Sequence, residues 1–237
     1  MEFELKTVGD WSYYYIPELE KARIVHGFFT KDTPSHILVD GYQKEKFLNA
    51  FSLKDTVAMR QEHGNKVHVI RDGDRPVAGD GIILIEKGVA GVIKTADCLP
   101  VIICEPGYPM ASIIHAGWRG TAKKITEKAI HEMIHLGAEK KRMIALLGPS
   151  INSCCYKVGE DVYKTFHNEG FSGKVFRHIG GSLFLDLRQA NMEILAHEGI
   201  ERICDLDLCT FCKEDLFHSY RRGETEKRQI NFVSLAE

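Results

Sequence analysis

The amino-acid sequence predicts an α/β fold with α+β character, built on mixed β-sheets rather than one doubly wound parallel sheet. Two observations lead there. Four apolar runs, at 81–85, 89–94, 101–104 and 111–114, follow one another in the middle of the chain. They are bounded by Gly, Asp or Pro, the pattern of strands covered on both faces. Helical periodicity recurs only at uneven intervals, so strand and helix do not alternate regularly enough for a purely parallel sheet.

The elements follow in order. Residues 22–29 read as a strand that closes near the turn-rich Lys31-Asp32-Thr33-Pro34, and Phe47, Leu48 and Phe51 place a helix over 43–51. Strands at 56–60 and 66–70 flank His63-Gly64-Asn65. Pro100 puts Cys98 just before a strand, and the run 111–114 ends at His115. The clearest helix covers 121–136, with Ala122, Ile125, Ala129, Ile130, Met133 and Ile134 on one broad face. A strand at 142–147, a turn at 148–152, a helix over 160–167, a strand at 183–186 and a helix over 187–197 follow. The last forty residues read as irregular with short strands. The 237 residues show no linker and no repeat, which fits one domain over 1–237.

Composition narrows the partners. Net charge is −2, with 44% hydrophobic and 27% charged residues. No Lys/Arg-rich run points to nucleic acid or an anionic membrane. No apolar run is long enough to span a bilayer. The N-terminus, Met1-Glu2-Phe3-Glu4-Leu5-Lys6, lacks the apolar core of a signal peptide. The seven cysteines therefore read as reduced thiols of a cytoplasmic protein.

Three segments carry the chemistry: Gln61-Glu62-His63-Gly64, Thr95-Ala96-Asp97-Cys98-Leu99-Pro100 and His115-Ala116-Gly117-Trp118-Arg119-Gly120-Thr121. Each sets one metal ligand beside residues that break regular structure. His63, Cys98 and His115 make a three-ligand set, which leaves a fourth metal position open for water or substrate. A thiolate at Cys98 needs its pKa depressed, by a metal or a neighbouring imidazolium. Arg119, with the start of the following helix, can hold a phosphate or carboxylate. Asp97 and Asp80 are candidates for proton transfer by proximity.

Two further patterns are set aside. His131-Glu132-Met133-Ile134-His135 matches the H-E-x-x-H zinc-protease pattern, but both histidines fall on the polar arc of their helix beside Lys124 and Lys128. Cys209-Thr210-Phe211-Cys212, with Cys204 upstream, has no second C-x-x-C to complete a four-ligand zinc site. Local packing is the expectation for it, and vicinal Cys154-Cys155 is equally open.

The three segments resemble the YfiH family, also described as laccase-domain proteins. The likeness continues through Gly148-Pro149-Ser150-Ile151, Cys154-Cys155-Tyr156, Val158-Gly159, Leu185-Asp186-Leu187, Cys209-Thr210 and Ser219-Tyr220-Arg221-Arg222, in the family's order. It departs at Lys31-Asp32-Thr33-Pro34, where the family has an arginine and a glycine-rich stretch. The resemblance implies mixed sheets layered between helices and a zinc on His63, Cys98 and His115. It implies purine nucleoside chemistry: phosphorolysis of adenosine, inosine, guanosine or methylthioadenosine, and deamination of adenosine. The small-molecule partners would be a purine nucleoside and phosphate. Older descriptions of the family make its members copper-dependent polyphenol oxidases, and a related bacterial role is editing of peptidoglycan precursors.

Three other mechanisms use the same residues. Cys98 as nucleophile with His115 or His63 as base would make a hydrolase. Copper could occupy the His/His/Cys set, although the eleven histidines include no His-x-His pair of the multicopper kind. A non-enzymatic binding module would leave the open metal position without a purpose.

Overall fold

The computed structural model describes residues 1–33, 41–71, 74 and 76–237. Pro34 of the expected early turn lies outside them. The strands are β1 (Glu4–Val8), β2 (Trp11–Tyr15), β3 (Ile24–Phe29), β4 (Asp55–Ala58), β5 (Val67–Ile70), β6 (Gly81–Leu84), β7 (Val89–Thr95), β8 (Leu99–Glu105), β9 (Met110–Ala116), β10 (Ile144–Leu147), β11 (Lys157–Val158), β12 (Phe176–Ile179), β13 (Ser182–Leu185), β14 (Arg202–Asp205) and β15 (Gln229–Leu235). The helices are α1 (Pro17–Lys21), α2 (Gly41–Ala50), α3 (Trp118–Ala122), α4 (Ile125–His135), α5 (Glu160–Asn168) and α6 (Leu187–His197).

Two six-stranded sheets dominate. Sheet 1 runs β1-β2-β3-β15-β7-β4 and sheet 2 runs β14-β10-β8-β9-β6-β5. A small third sheet runs β11-β13-β12. Pairs β4–β7, β5–β6 and β10–β14 are parallel, and the remaining named pairs are antiparallel, so the sheets are mixed as expected.

Side-chain alternation explains the continuous apolar runs. On β8, Leu99, Val101 and Ile103 face helices α4 and α6, while Ile102 and Cys104 face sheet 1. On β7, Val89 and Ile93 join that inter-sheet core, while Ala90 and Val92 meet Trp11, Phe47 and Phe51 on the far side. Both faces of each strand are buried, so period-2 alternation never reaches the hydropathy pattern. The layers are α2, sheet 1, sheet 2, then α4 with α6.

One expectation is corrected. The helix expected over 121–136 is two helices, α3 and α4, broken at Lys124, whose φ is 59°. Buried Asn191 bridges the break. It donates to Thr121 Oγ1 at 3.2 Å and accepts from Thr126 Oγ1 at 2.7 Å. Asn65 Nδ2 donates to the freed Lys123 carbonyl at 2.8 Å. The last forty residues, expected to be irregular with short strands, hold the short β14 but also β15, a fully buried seven-residue strand between β3 and β7.

Candidate active site

The centre forms where the chain passes from sheet 1 to sheet 2. β7 ends at Thr95 and β8 begins at Leu99, so residues 96–98 turn the corner. Asp97 makes that turn at φ 84°, a left-handed conformation that costs a non-glycine residue about 1 kcal/mol. β8 and β9 pair with Leu99 opposite Ala116, and the next step in register sets Cys98 beside Gly117. A Cβ on Gly117 would stand 3.1 Å from Cys98 Sγ and 3.2 Å from His63 Cδ2. Glycine therefore keeps open the space between the ligands. β9 runs one residue beyond His115, which is 2% exposed.

His63 reaches the same point from the segment between β4 and β5, at φ 56°. Asp80 holds that segment in place. Its carboxylate accepts from the N–H groups of Glu62, His63 and Gly64 at 3.2, 3.0 and 2.8 Å. It also accepts from His115 Nδ1 at 2.8 Å, which turns Nε2 toward Cys98 and His63. Burial opposes charge on Asp80, but His115 and the loop N–H groups outweigh it and hold the carboxyl below its usual range. Carboxylate–histidine pairs of this kind fix the tautomer and orientation of a metal ligand.

The ligand atoms of His63, Cys98 and His115 all lie within 4.8 Å of one another, and the two imidazoles meet edge to face at 4.8 Å. Tetrahedral zinc with bonds of about 2.0–2.3 Å wants donors about 3.3–3.8 Å apart. Small side-chain rotations close this set on one ion, so the residues fit zinc, and equally a copper ion. Burial works against a charged Cys98, but His115 and then His63 overcome it and draw the thiol down to about 6. Burial likewise works against protonated His115, but the Cys98 thiolate and Asp80 raise it to about 9.

The set opens into a cavity of about 640 Å³, within the usual range for small-molecule sites. Trp118 and Tyr156 give it aromatic walls, and Lys94, Arg119, Arg221 and Arg228 give it a basic rim. The Arg119 guanidinium lies over the Trp118 ring at 4.4 Å. Asp97 lines the cavity, but its oxygens already accept from Thr210 Oγ1 and the Arg221 N–H, both at 2.7 Å. Gln61 pairs with both backbone groups of Lys94 at 2.8 Å and fixes the wall next to His63.

Of the six residues singled out from the sequence, His63, Asp97, Cys98, His115 and Arg119 line this cavity, while Asp80 is fully buried behind His115 and does not. The expected helix N-terminus behind Arg119 is only the five-residue α3, a much weaker dipole than a long helix would present. The H-E-x-x-H histidines face solvent. His131 is exposed and bonds Glu198 at 2.9 Å, and His135 is exposed. Lys94, Tyr156, Arg221 and Arg228 were not predicted as site residues. Tyr156 and Arg221 lay in segments that carried the family resemblance, whereas Lys94 and Arg228 had no signal. The C-x-x-C turn lies against the vicinal pair: the sulfurs of Cys154, Cys155, Cys209 and Cys212 lie within 4.8 Å of one another. Cys204 sits apart on β14.

Fold and site define an α/β protein of two face-packed mixed sheets, with a His/Cys/His cluster that could hold a metal where the chain crosses between them. The chain belongs to the family described as multi-copper polyphenol oxidoreductase laccase, whose model matches residues 23–236. It is 30% identical over 209 residues to the Shigella flexneri purine nucleoside phosphorylase YfiH, covering 86% of this chain and 83% of that one. It is 31% identical over 185 residues to adenosine deaminase RL5 from an unknown prokaryotic organism, covering 72% and 71%. The mouse purine nucleoside phosphorylase LACC1 is 27% identical over 94% of this chain, which spans about half (53%) of that protein. The Bacillus licheniformis hypothetical protein YfiH has the same fold, with a TM-score of 0.87, 27% identity and 98% of both chains covered. Among the described residues no helix is long and apolar enough to cross a membrane.

Proposed function

We propose that this chain is a zinc-dependent purine nucleoside enzyme of the cytoplasm. It phosphorolyses adenosine, inosine, guanosine and S-methyl-5'-thioadenosine to base and the (methylthio)ribose 1-phosphate, and it deaminates adenosine to inosine. The observation that carries this reading is the three-ligand set of His63, Cys98 and His115 at the base of a cavity with aromatic walls and a basic rim. The names of the relatives support the same chemistry.

Zinc on this set would supply Lewis acidity to an oxygen at its open position. The chain's own groups do the rest. Trp118 and Tyr156 flank the space in which a purine ring stacks. Arg119, Arg221 and Arg228 offer the charge that a phosphate dianion needs. Asp80 orients His115 and takes no part in proton transfer, because it is fully buried behind His115 and lines no part of the cavity. Asp97, beside Cys98 on the cavity wall, is the carboxylate left to accept or return a proton. Burial raises the Tyr156 hydroxyl, with Cys98 adding to the effect, so it remains a hydrogen-bond donor at neutral pH.

A second reading rests on the depressed thiol. Without metal, a Cys98 at about 6 beside His115 is an activated nucleophile, as an amidase acting on peptidoglycan precursors would need. Copper in the same set would give an oxidase. Assays of zinc-loaded, copper-loaded and metal-free protein on adenosine with phosphate separate the three. Nucleoside turnover that zinc restores supports the proposal, and a covalent substrate adduct on Cys98 in metal-free protein would replace it with the hydrolase.

A further inference from the structure

Sulfur gathers at a second place, beside the active site and separate from its ligand set. Cys154 and Cys155 lie in the segment between β10 and β11, and Cys209 and Cys212 lie between β14 and β15. Cys154 Sγ is 3.8 Å from Cys209 Sγ and 3.7 Å from Cys212 Sγ, and Cys155 Sγ is 3.3 Å from Cys212 Sγ. A disulfide would bring a pair to about 2.05 Å. Four bonds of about 2.3 Å to one tetrahedral zinc separate the sulfurs by about 3.8 Å. The three sulfur–sulfur contacts, at 3.3, 3.7 and 3.8 Å, lie far nearer the second figure than the first, and all four sulfurs fall within 4.8 Å of one another.

Apolar packing does not explain the cluster, since Cys154 and Cys212 are exposed. The backbone, in contrast, is arranged to bring the thiols together. Ser150 bridges to Cys209, with Ser150 N–H on the Leu208 carbonyl at 3.2 Å and Thr210 N–H on the Ser150 carbonyl at 3.0 Å. Asn152 N–H points at Cys209 Sγ from 3.5 Å, a contact that favours the thiolate. Arg222 clamps the Thr210 and Phe211 carbonyls at 2.9 Å and so fixes the C-x-x-C turn.

We propose that Cys154, Cys155, Cys209 and Cys212 bind one zinc ion as a closed four-thiolate site with a structural role. Binding releases the thiol protons and forms four Zn–S bonds, with no redox change. Four protein ligands leave no open position. The ion ties together two segments that serve the cavity: Tyr156 follows Cys155 into its wall, and Thr210, between Cys209 and Cys212, holds Asp97. The four cysteines act through those neighbours and touch no substrate.

The test uses His63→Ala/Cys98→Ala protein, which has lost the active-site set, purified with thiol protection and a zinc supplement. It should retain about one zinc per chain, with X-ray absorption showing four sulfurs at about 2.3 Å. Adding Cys155→Ser and Cys212→Ser should remove that zinc. Zinc-free protein, a first shell of nitrogen or oxygen, or a disulfide among the four cysteines would overturn the proposal. Zinc kept undiminished after the serine changes would do so as well. The absorption result stands on the first variant alone, so it decides the matter even if the serine variant does not fold.

Discussion

Asp80 carries more of the site than its position suggests. It makes four side-chain contacts that join the His63 loop to His115. Asp80→Asn keeps the shape but removes the charge that holds the His115 tautomer. Zinc affinity should fall roughly 10–100-fold with the fold retained, as measured by competition with a chelator. An unchanged affinity would remove Asp80 from the metal site. Arg119→Gln should lower kcat/KM for phosphate roughly 10–100-fold, from loss of one charge-assisted contact of about 1.5–3 kcal/mol. Deamination should change little, and equal loss of both reactions would exclude phosphate binding as the role of Arg119. At this scale His63, Cys98 and His115 were legible because each sits within two residues of a glycine, proline or aspartate at a break in regular structure. Lys94, Tyr156, Arg221 and Arg228 were not assigned, because segments far apart in sequence meet only in the folded chain. The four cysteines were missed for the same reason. Each pair looks incomplete until the Ser150–Cys209 bridge sets one beside the other.

The elements show where periodicity informs and where it fails. Helix α6 falls on the expected residues 187–197 because Asp186, accepting from Gln189 N–H at 2.9 Å, caps a clear apolar face. The break between α3 and α4 could not be read, since Lys123-Lys124 are ordinary helix residues and the cause is Asn191 on another element. Strand β3 carries a titrating group that was also invisible. Buried His26 accepts the Ile16 N–H at 3.0 Å and donates to the Ile24 carbonyl at 3.0 Å, tying the start of α1 to β3. Burial lowers its pKa from 6.5 to about 4, against weaker opposing contributions from Ile24 and Glu20. The unfolded chain binds a proton below about 6.5, while the folded chain resists it until about 4. Stability is therefore full above that window and declines as pH falls through it, by about 3 kcal/mol in all. Urea unfolding from pH 7 to pH 4 should show this decline and His26→Gln should flatten it. Identical profiles for the two proteins would contradict the assignment.

Sheet 1 combines strands from both ends of the sequence. Its order places β15, from the end of the chain, between β3 and β7. Sheet 2 shares an apolar core with it through Ile82, Ile102 and Ile113 against Phe28, Val57 and Val233. We propose that residues 1–237 unfold as one cooperative unit. Fluorescence from Trp11, in the outer core of sheet 1, and Trp118, at the cavity, should change in step with far-UV circular dichroism. Two separated transitions would divide the chain into domains.

The layered architecture was legible because buried strands keep their apolar runs however they are ordered. The order itself was not, because β15 finds its place through pairing with strands far away in sequence. Two crossings from sheet 1 to sheet 2, β7 to β8 and β4 to β5, bring Cys98 and His63 to His115, so fold and chemistry have one origin.

The most direct measurement is chromatographic analysis of adenosine incubated with phosphate and zinc-loaded protein, with Cys98→Ala as control. Adenine with ribose 1-phosphate, or inosine, formed by the wild-type chain alone is the predicted result. No turnover by the wild type, or equal turnover by Cys98→Ala, would contradict a purine nucleoside enzyme built on His63, Cys98 and His115.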